Sequence, residues 1–136
     1  MGKNLVESLK NIRDGKDQTR KELHVEAIYE YDLGVSVETL DGFCKDADFV
    51  FHLAGVNRPE TNDEFMKGNC GFASDVLGML KAHQNTCPVM LASSIQATCI
   101  GRYDGPYGRS KAAGEDTLFE YARETGAKAL VYRFPN

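Results

Sequence analysis

Three short apolar runs constrain what this chain can become: Phe49-Val50-Phe51, Pro88 to Ala92 and Ala129 to Tyr132. Consecutive apolar positions suit strands buried on both faces, the setting of a parallel sheet. Parallel neighbours need crossovers long enough to hold a helix, and the stretches between these runs have helical spacing. The alternation predicts an α/β fold with a parallel sheet. The first run sits in a strand candidate from Asp48 to Val56 that closes on Leu53-Ala54-Gly55, and the second ends at Ser93-Ser94.

The helices are read from periodicity. Leu5, Val6, Leu9 and Ile12 recur with charged residues between them, which predicts an amphipathic helix ending near Asp14-Gly15. Ser36 to Cys44 reads as a short helix with Ser36 as N-cap. A longer helix spans Thr61 to His83, with a break around Gly68 to Gly71 and with Phe72, Val76 and Leu80 on one stripe. Tyr107 to Thr125 is a further helix, with Gly126 as its C-cap. Val25 to Tyr31 is a further strand candidate, and Lys16 to Glu22 and Cys99 to Pro106 are loops. At 136 residues the chain has room for one core, so residues 1–136 read as a single domain.

The net charge of -4 argues against nucleic acid as the main partner. No apolar run approaches the roughly 20 residues of a membrane span. Cys44, Cys70, Cys87 and Cys99 form no Cys-x-x-Cys pair, which disfavours a metal site and suits reduced thiols in a cytoplasmic protein. His24, His52 and His83 have no partners at ligand spacing, and His52 reads as a core histidine with its hydrogen bonds satisfied. Arg58 and Arg102 read as solvated loop arginines.

The chemistry concentrates in Ser93-Ser94-Ile95-Gln96-Ala97 and Tyr107-Gly108-Arg109-Ser110-Lys111. Residues four apart on a helix share a face, so the Lys111 ammonium can act on the Tyr107 phenol. A fixed cation about 5 Å away favours phenolate by roughly 3 kcal/mol at an effective dielectric of about 20. That moves a phenol toward a useful general acid or base. The serine hydroxyl at the strand end can hold the oxygen that receives the proton.

These residues resemble the Ser–Tyr–x–x–x–Lys active site of the short-chain dehydrogenase/reductase superfamily. A Tyr–Lys pair at this spacing is common by chance, but further motifs accompany it in order. Phe51-His52-Leu53-Ala54-Gly55-Val56-Asn57-Arg58-Pro59, Ser94-Ile95-Gln96-Ala97 and Tyr132-Arg133-Phe134-Pro135-Asn136 resemble the extended, nucleotide-sugar branch. Within it they are similar to the capsular-polysaccharide UDP-sugar reductases, and the likeness runs from Gly2 to Asn136.

The resemblance implies a partial Rossmann-like, doubly wound parallel sheet. It also implies hydride transfer between NADP or NAD and a UDP-linked keto-sugar, with NADPH favoured. Tyr107 would give the proton, Ser94 would bond the developing alkoxide, and Lys111 would keep the tyrosine acidic and bond the nicotinamide ribose. Leu53, Ala54 and Gly55 would pass under the adenine ribose and pyrophosphate, and small residues let a cofactor approach the backbone. Asn69 would steady the central strand and shape the site. Asp32 would bond ribose hydroxyls, Pro135 and Asn136 would lie beside the nicotinamide amide, and Ser93 would be on the cofactor side or structural.

Met1-Gly2-Lys3-Asn4-Leu5 resembles the tail of the superfamily's glycine-rich turn, with Gly2 as its last glycine. The expectation is a chain without the first strand and most of that turn, and without the substrate domain. Two alternatives accompany the reductase reading: a catalytically silent remnant of the same fold, and a sugar-nucleotide epimerase or dehydratase. Ile95-Gln96 stand where a dehydratase carries an acidic pair, which counts against that chemistry. A homodimer is the superfamily's habit.

Overall fold

A helix of 12 residues is marginal without an apolar stripe to pack, and α1 (Gly2–Arg13) has one. Its stripe is the predicted one, Lys10 and Arg13 stand in the last turn where the helix dipole favours cations, and Gly15 follows at φ 75°. The structure is a computed structural model that describes residues 1–56 and 58–135. The chain divides into two compact units, residues 1–35 and 36–136. Within the first, Lys10 Nζ lies 3.6 Å from Glu30 Oε2. The strand expected at Val25 to Tyr31 is not formed: residues 23–32 run without helix or sheet pairing. A strand exists by sharing backbone hydrogen bonds with a neighbour, and residues 1–35 hold one helix and no second strand.

The second unit holds the sheet. Strands β1 (Val50–His52), β2 (Val89–Ser94) and β3 (Ala129–Phe134) pair in parallel in the order β1-β2-β3. Val50 faces Val89, His52 faces Leu91, and Ser93 faces Arg133. Ser36 caps α2 (Val37–Asp46), its Oγ accepting the Thr39 N–H at 3.2 Å. The crossover from β1 to β2 carries α3 (Asn62–Phe65) and α4 (Phe72–Ala82), joined by a π-turn over Met66–Gly71. The expected break at Gly68 to Gly71 is therefore this wider turn, and the chain stays helical through it. The second crossover is α5 (Pro106–Thr125), opened by Pro106 in its first turn and closed by Gly126 at φ 78°.

Side chains alternate across a strand. His52, Val89 and Leu91 meet Ala73, Val76 and Leu77 of α4 and Leu118 of α5, around a void of about 10 Å³. Leu80 and Leu118 are among the most deeply buried side chains. The strand around Phe51 differs from its expected two-sided burial. Phe49 and Phe51 meet with ring centroids 4.5 Å apart at a 37° tilt and are each 40% exposed, because β1 is a three-residue edge strand. The result is a partial Rossmann-like α/β fold.

Candidate active site

The site forms where β2 ends and α5 begins. β2 runs two residues beyond the predicted Ala92 and takes both serines into the sheet, so the pleat sends them to opposite faces. Ser93 turns toward α5 and donates to Glu115 Oε1 at 2.6 Å. Arg133 of β3 grips the same carboxylate, Nε to Oε1 at 2.9 Å and Nη2 to Oε2 at 2.6 Å. Burial alone would push the Glu115 carboxyl up, but the Arg133 and Ser93 hydrogen bonds outweigh it and hold it below its ordinary value. Ser93 is thus engaged in a buried polar knot. Ser94 points away from that knot and caps the 3₁₀ turn Ile95–Thr98, its Oγ accepting the Gln96 N–H at 3.2 Å. Among the described residues, no acceptor takes its hydroxyl proton.

On α5, Tyr107 and Lys111 stand one turn apart. Lys111 Nζ lies 5.7 Å from the Tyr107 ring centroid and 3.5 Å from the carbonyl oxygen of Ala92. Burial lowers the pKa of this ammonium group. Phe65 meets the Tyr107 ring edge-on at 5.4 Å. Gly108 lets this helix start seat tightly: a methyl group on it would lie 2.4 Å from the Gln96 carbonyl oxygen and 2.6 Å from that of Tyr103.

The segment after β1 closes the other side. A methyl group on Gly55 would lie 2.7 Å from Asn69 Oδ1 and 3.0 Å from Lys111 Nζ, so the backbone at Gly55 is pressed against both. Asn69, buried in the π-turn, accepts the Val56 N–H on Oδ1 at 2.9 Å. Its Nδ2 donates to the Val56 carbonyl at 3.3 Å and to Ser110 Oγ at 3.0 Å. Ser110 Oγ in turn donates to the Tyr107 carbonyl at 2.7 Å.

Gly55, Asn69, Tyr107 and Lys111 are therefore brought together, with the β2 end beside them. Leu53 is half-buried and Ala54 exposed just before Gly55. Pro135 is exposed directly after β3. Gly2 opens α1, and Asp32 accepts the Leu33 N–H on its own carboxylate at 2.8 Å; both belong to the first unit. Asn57 and Asn136 lie outside the described residues. His52 departs from its expected satisfied state: its Nε2 has no hydrogen-bond partner among the described residues. Its ring lies 5.3 Å from that of Phe72 at a 38° tilt, and burial, then the Lys111 charge, lowers its pKa to about 4.

Sequence reasoning missed Ser110 and Glu115. The signal was available: both fall on the α5 stripe that carries Leu118 and Tyr121, and a Glu on a buried stripe demands a cation. Among the described residues, no group of three His, Cys, Asp or Glu is placed to hold a metal, the four thiols are free, and no helix is long and apolar enough to cross a membrane.

The profile of the NAD dependent epimerase/dehydratase family matches residues 1–136. UDP-2-acetamido-2,6-beta-L-arabino-hexul-4-ose reductase of Pseudomonas aeruginosa is 37% identical over 101 residues, 74% of this chain and 26% of its own length. The crystal structure of capsular polysaccharide assembling protein CapF from Staphylococcus aureus is 38% identical at TM-score 0.68. That match covers 94% of this chain and 33% of CapF. The chain thus spans a quarter to a third of these relatives. UDP-glucuronic acid 4-epimerase from Bacillus cereus, solved with NAD, shares the fold at TM-score 0.64 and 19% identity, over 95% of this chain and 44% of its own.

Proposed function

The chain belongs to the NAD dependent epimerase/dehydratase family, and from that premise we propose that it serves a nucleotide-sugar reductase of surface-polysaccharide synthesis, with NADPH as hydride donor. The observation that carries the reading is the meeting of Gly55, Asn69, Tyr107 and Lys111. Residues 1–136 act in it as one partial nicotinamide-binding domain.

The residues suit such a cofactor. Ala54 and Gly55 are small and exposed, so a ligand can approach the backbone there. Lys111 presents an ammonium group beside the phenol, and its burial makes it a ready donor to a ribose hydroxyl. A bound nicotinamide supplies the hydride. Tyr107 gives its phenolic proton to the oxygen of the reduced carbonyl. Ser94 donates its hydroxyl proton to the same oxygen, stabilising the developing charge. Ser93, tied to Glu115, is structural in this scheme. Leu53 walls the adenosine side, and Pro135 stands on the nicotinamide side. Gly2 and Asp32, within the first unit, are a turn glycine and a ribose acceptor in this reading. The substrate is a UDP-linked keto-sugar, and the chain works in the cytoplasm as a homodimer.

Titration with NADPH tests this. The chain contains no Trp, so the nicotinamide's own fluorescence reads binding without indole background. Saturable binding below about 100 μM, within the usual range for enzyme ligands, supports the reading. No binding at millimolar NADPH points to a silent remnant of the fold. In turnover assays with a UDP-linked 4-keto sugar, Tyr107→Phe lowers kcat by on the order of 100-fold; unchanged turnover removes Tyr107 from the mechanism.

A further inference from the structure

Ser110 is fully buried, with no exposed surface, and it lies between the two halves of the candidate site. The direction of every hydrogen bond around it is fixed. A carboxamide has two N–H donors and one acceptor oxygen. Asn69 Oδ1 is turned to the Val56 N–H, which only an oxygen can accept. Both Nδ2 donors are then committed, one to the Val56 carbonyl and one to Ser110 Oγ. Ser110 Oγ therefore accepts from Asn69, and its own proton goes to the Tyr107 carbonyl at 2.7 Å. A directed path runs from Val56, through Asn69 and Ser110, to the backbone of Tyr107. It joins segments 13 and 41 residues apart in sequence.

We propose that Ser110 is a positioning residue: its hydroxyl locks the first turn of α5 to the Gly55–Val56 segment, and so fixes Tyr107 and Lys111 against the backbone that faces the cofactor. The lock is needed because Gly55 packs within contact of both Asn69 and Lys111. A small slide of α5 along the sheet would either drive Lys111 into that backbone or open a gap. The functional consequence rests on the cofactor reading above; the lock itself does not.

The test is amide hydrogen exchange at single-residue resolution on the purified chain, comparing the wild type with Ser110→Ala. The Val56 N–H reports the far end of the path. The Val89 N–H, bonded to the Lys128 carbonyl at 3.0 Å within the sheet, is the internal control. Protection at Val56 is expected to fall on the order of tenfold, the scale of one buried hydrogen bond, with Val89 unchanged. Asn69→Leu, which removes the acceptor of the Val56 N–H itself, should produce at least that loss, and the double variant should lose no more than the worse single one. A serine that merely fills space would not move an amide on another segment. Equal changes at Val56 and Val89, or fully additive losses, overturn the proposal. Ser110→Cys, which keeps the shape and only a weak donor, is read by the same criterion if Ser110→Ala does not fold. NADPH titration of the loosened variant should show weaker binding than the wild type. A wild type that binds no NADPH overturns the cofactor reading, whereas an unmoved Val56 overturns the lock.

Discussion

Replacing Arg133 by Met should destabilise the second unit far more than replacing Glu115 by Gln, although the two changes dismantle the same ion pair. The asymmetry comes from burial: the Glu115 side chain is 4% exposed and that of Arg133 is 44% exposed. Methionine keeps the arginine stem but strands a buried carboxylate. Removing one partner of a fully buried pair costs about 3–5 kcal/mol. Water can reach part of the vacated guanidinium site, which reduces this to about 2–3 kcal/mol. Glutamine keeps an acceptor for Ser93 and leaves a guanidinium with solvent at hand, so its cost is about 1 kcal/mol. In thermal melts followed by circular dichroism, these become falls of about 10 °C and about 4 °C. The pH dependence carries a second signature. In the wild type the Glu115 carboxyl is held below its ordinary value. Its contribution is complete above the ordinary carboxylate range and is lost as pH falls through the depressed value. In Arg133→Met only burial and the Ser93 bond remain, the carboxyl moves up, and protonation relieves the strain. The gap between wild type and variant should therefore be widest at neutral pH and close below about pH 4. Equal melting temperatures for the two variants, or a gap that stays flat down to pH 4, would refute the assignment of Glu115 as a buried, charge-paired carboxylate.

His52 offers a separate window. Its pKa is lowered from 6.5 to about 4, so the unfolded chain takes up the proton first. Stability should fall as pH drops from about 6.5 to about 4, by a total on the order of 3 kcal/mol. His52→Phe should flatten that slope, and a His52 imidazole NMR signal that titrates near 6.5 in the folded chain would contradict the burial argument. Gly108→Ala should cost about 1–3 kcal/mol in urea unfolding, because its methyl group meets two backbone carbonyls that cannot step aside. A neutral result would mean that α5 is not seated on the turn at Gln96.

The fold and half of the site were legible because they rest on short-range geometry. Tyr107 and Lys111 share a face whatever else the chain does, Gly126 ends its helix by its left-handed backbone, and Ser36 caps α2 within three residues. What escaped depends on which elements become neighbours. Glu115 and Arg133 are 18 residues apart and meet only when α5 crosses back over β3. The Ser93 bond to Glu115 required knowing that β2 runs on to residue 94, which fixes the parity of its serines. The strand at Val25 to Tyr31 had the right composition, but β propensity describes a surface that fits a neighbour, and no neighbour lies within its own unit. His52 was legible as buried, whereas its unpaired nitrogen depended on the packing of Phe72 and α4 around it.

The placement of the reactive groups follows from how α5 is held along its length. Its 20 residues span about 30 Å, and it carries three kinds of anchor on the stripe that faces the sheet. Leu118 and Tyr121 sit in the apolar core, and the Tyr121 hydroxyl donates to the Asn85 carbonyl at 3.0 Å. Asn85 in turn ties the end of α2 through the Cys44 and Ala47 carbonyls. Glu115, in the middle, binds strands β2 and β3 at once through Ser93 and Arg133. Ser110, in the opening turns, binds the segment after β1 through Asn69. Apolar contacts resist separation but tolerate sliding, because dispersion has little direction. Directed hydrogen bonds at the middle and at the start remove that freedom where Lys111 and Tyr107 stand. A helix anchored only by its core residues would place the phenol to within a side-chain rotamer. With the two polar anchors, the phenol, the ammonium and the end of β2 are set by the same three strands.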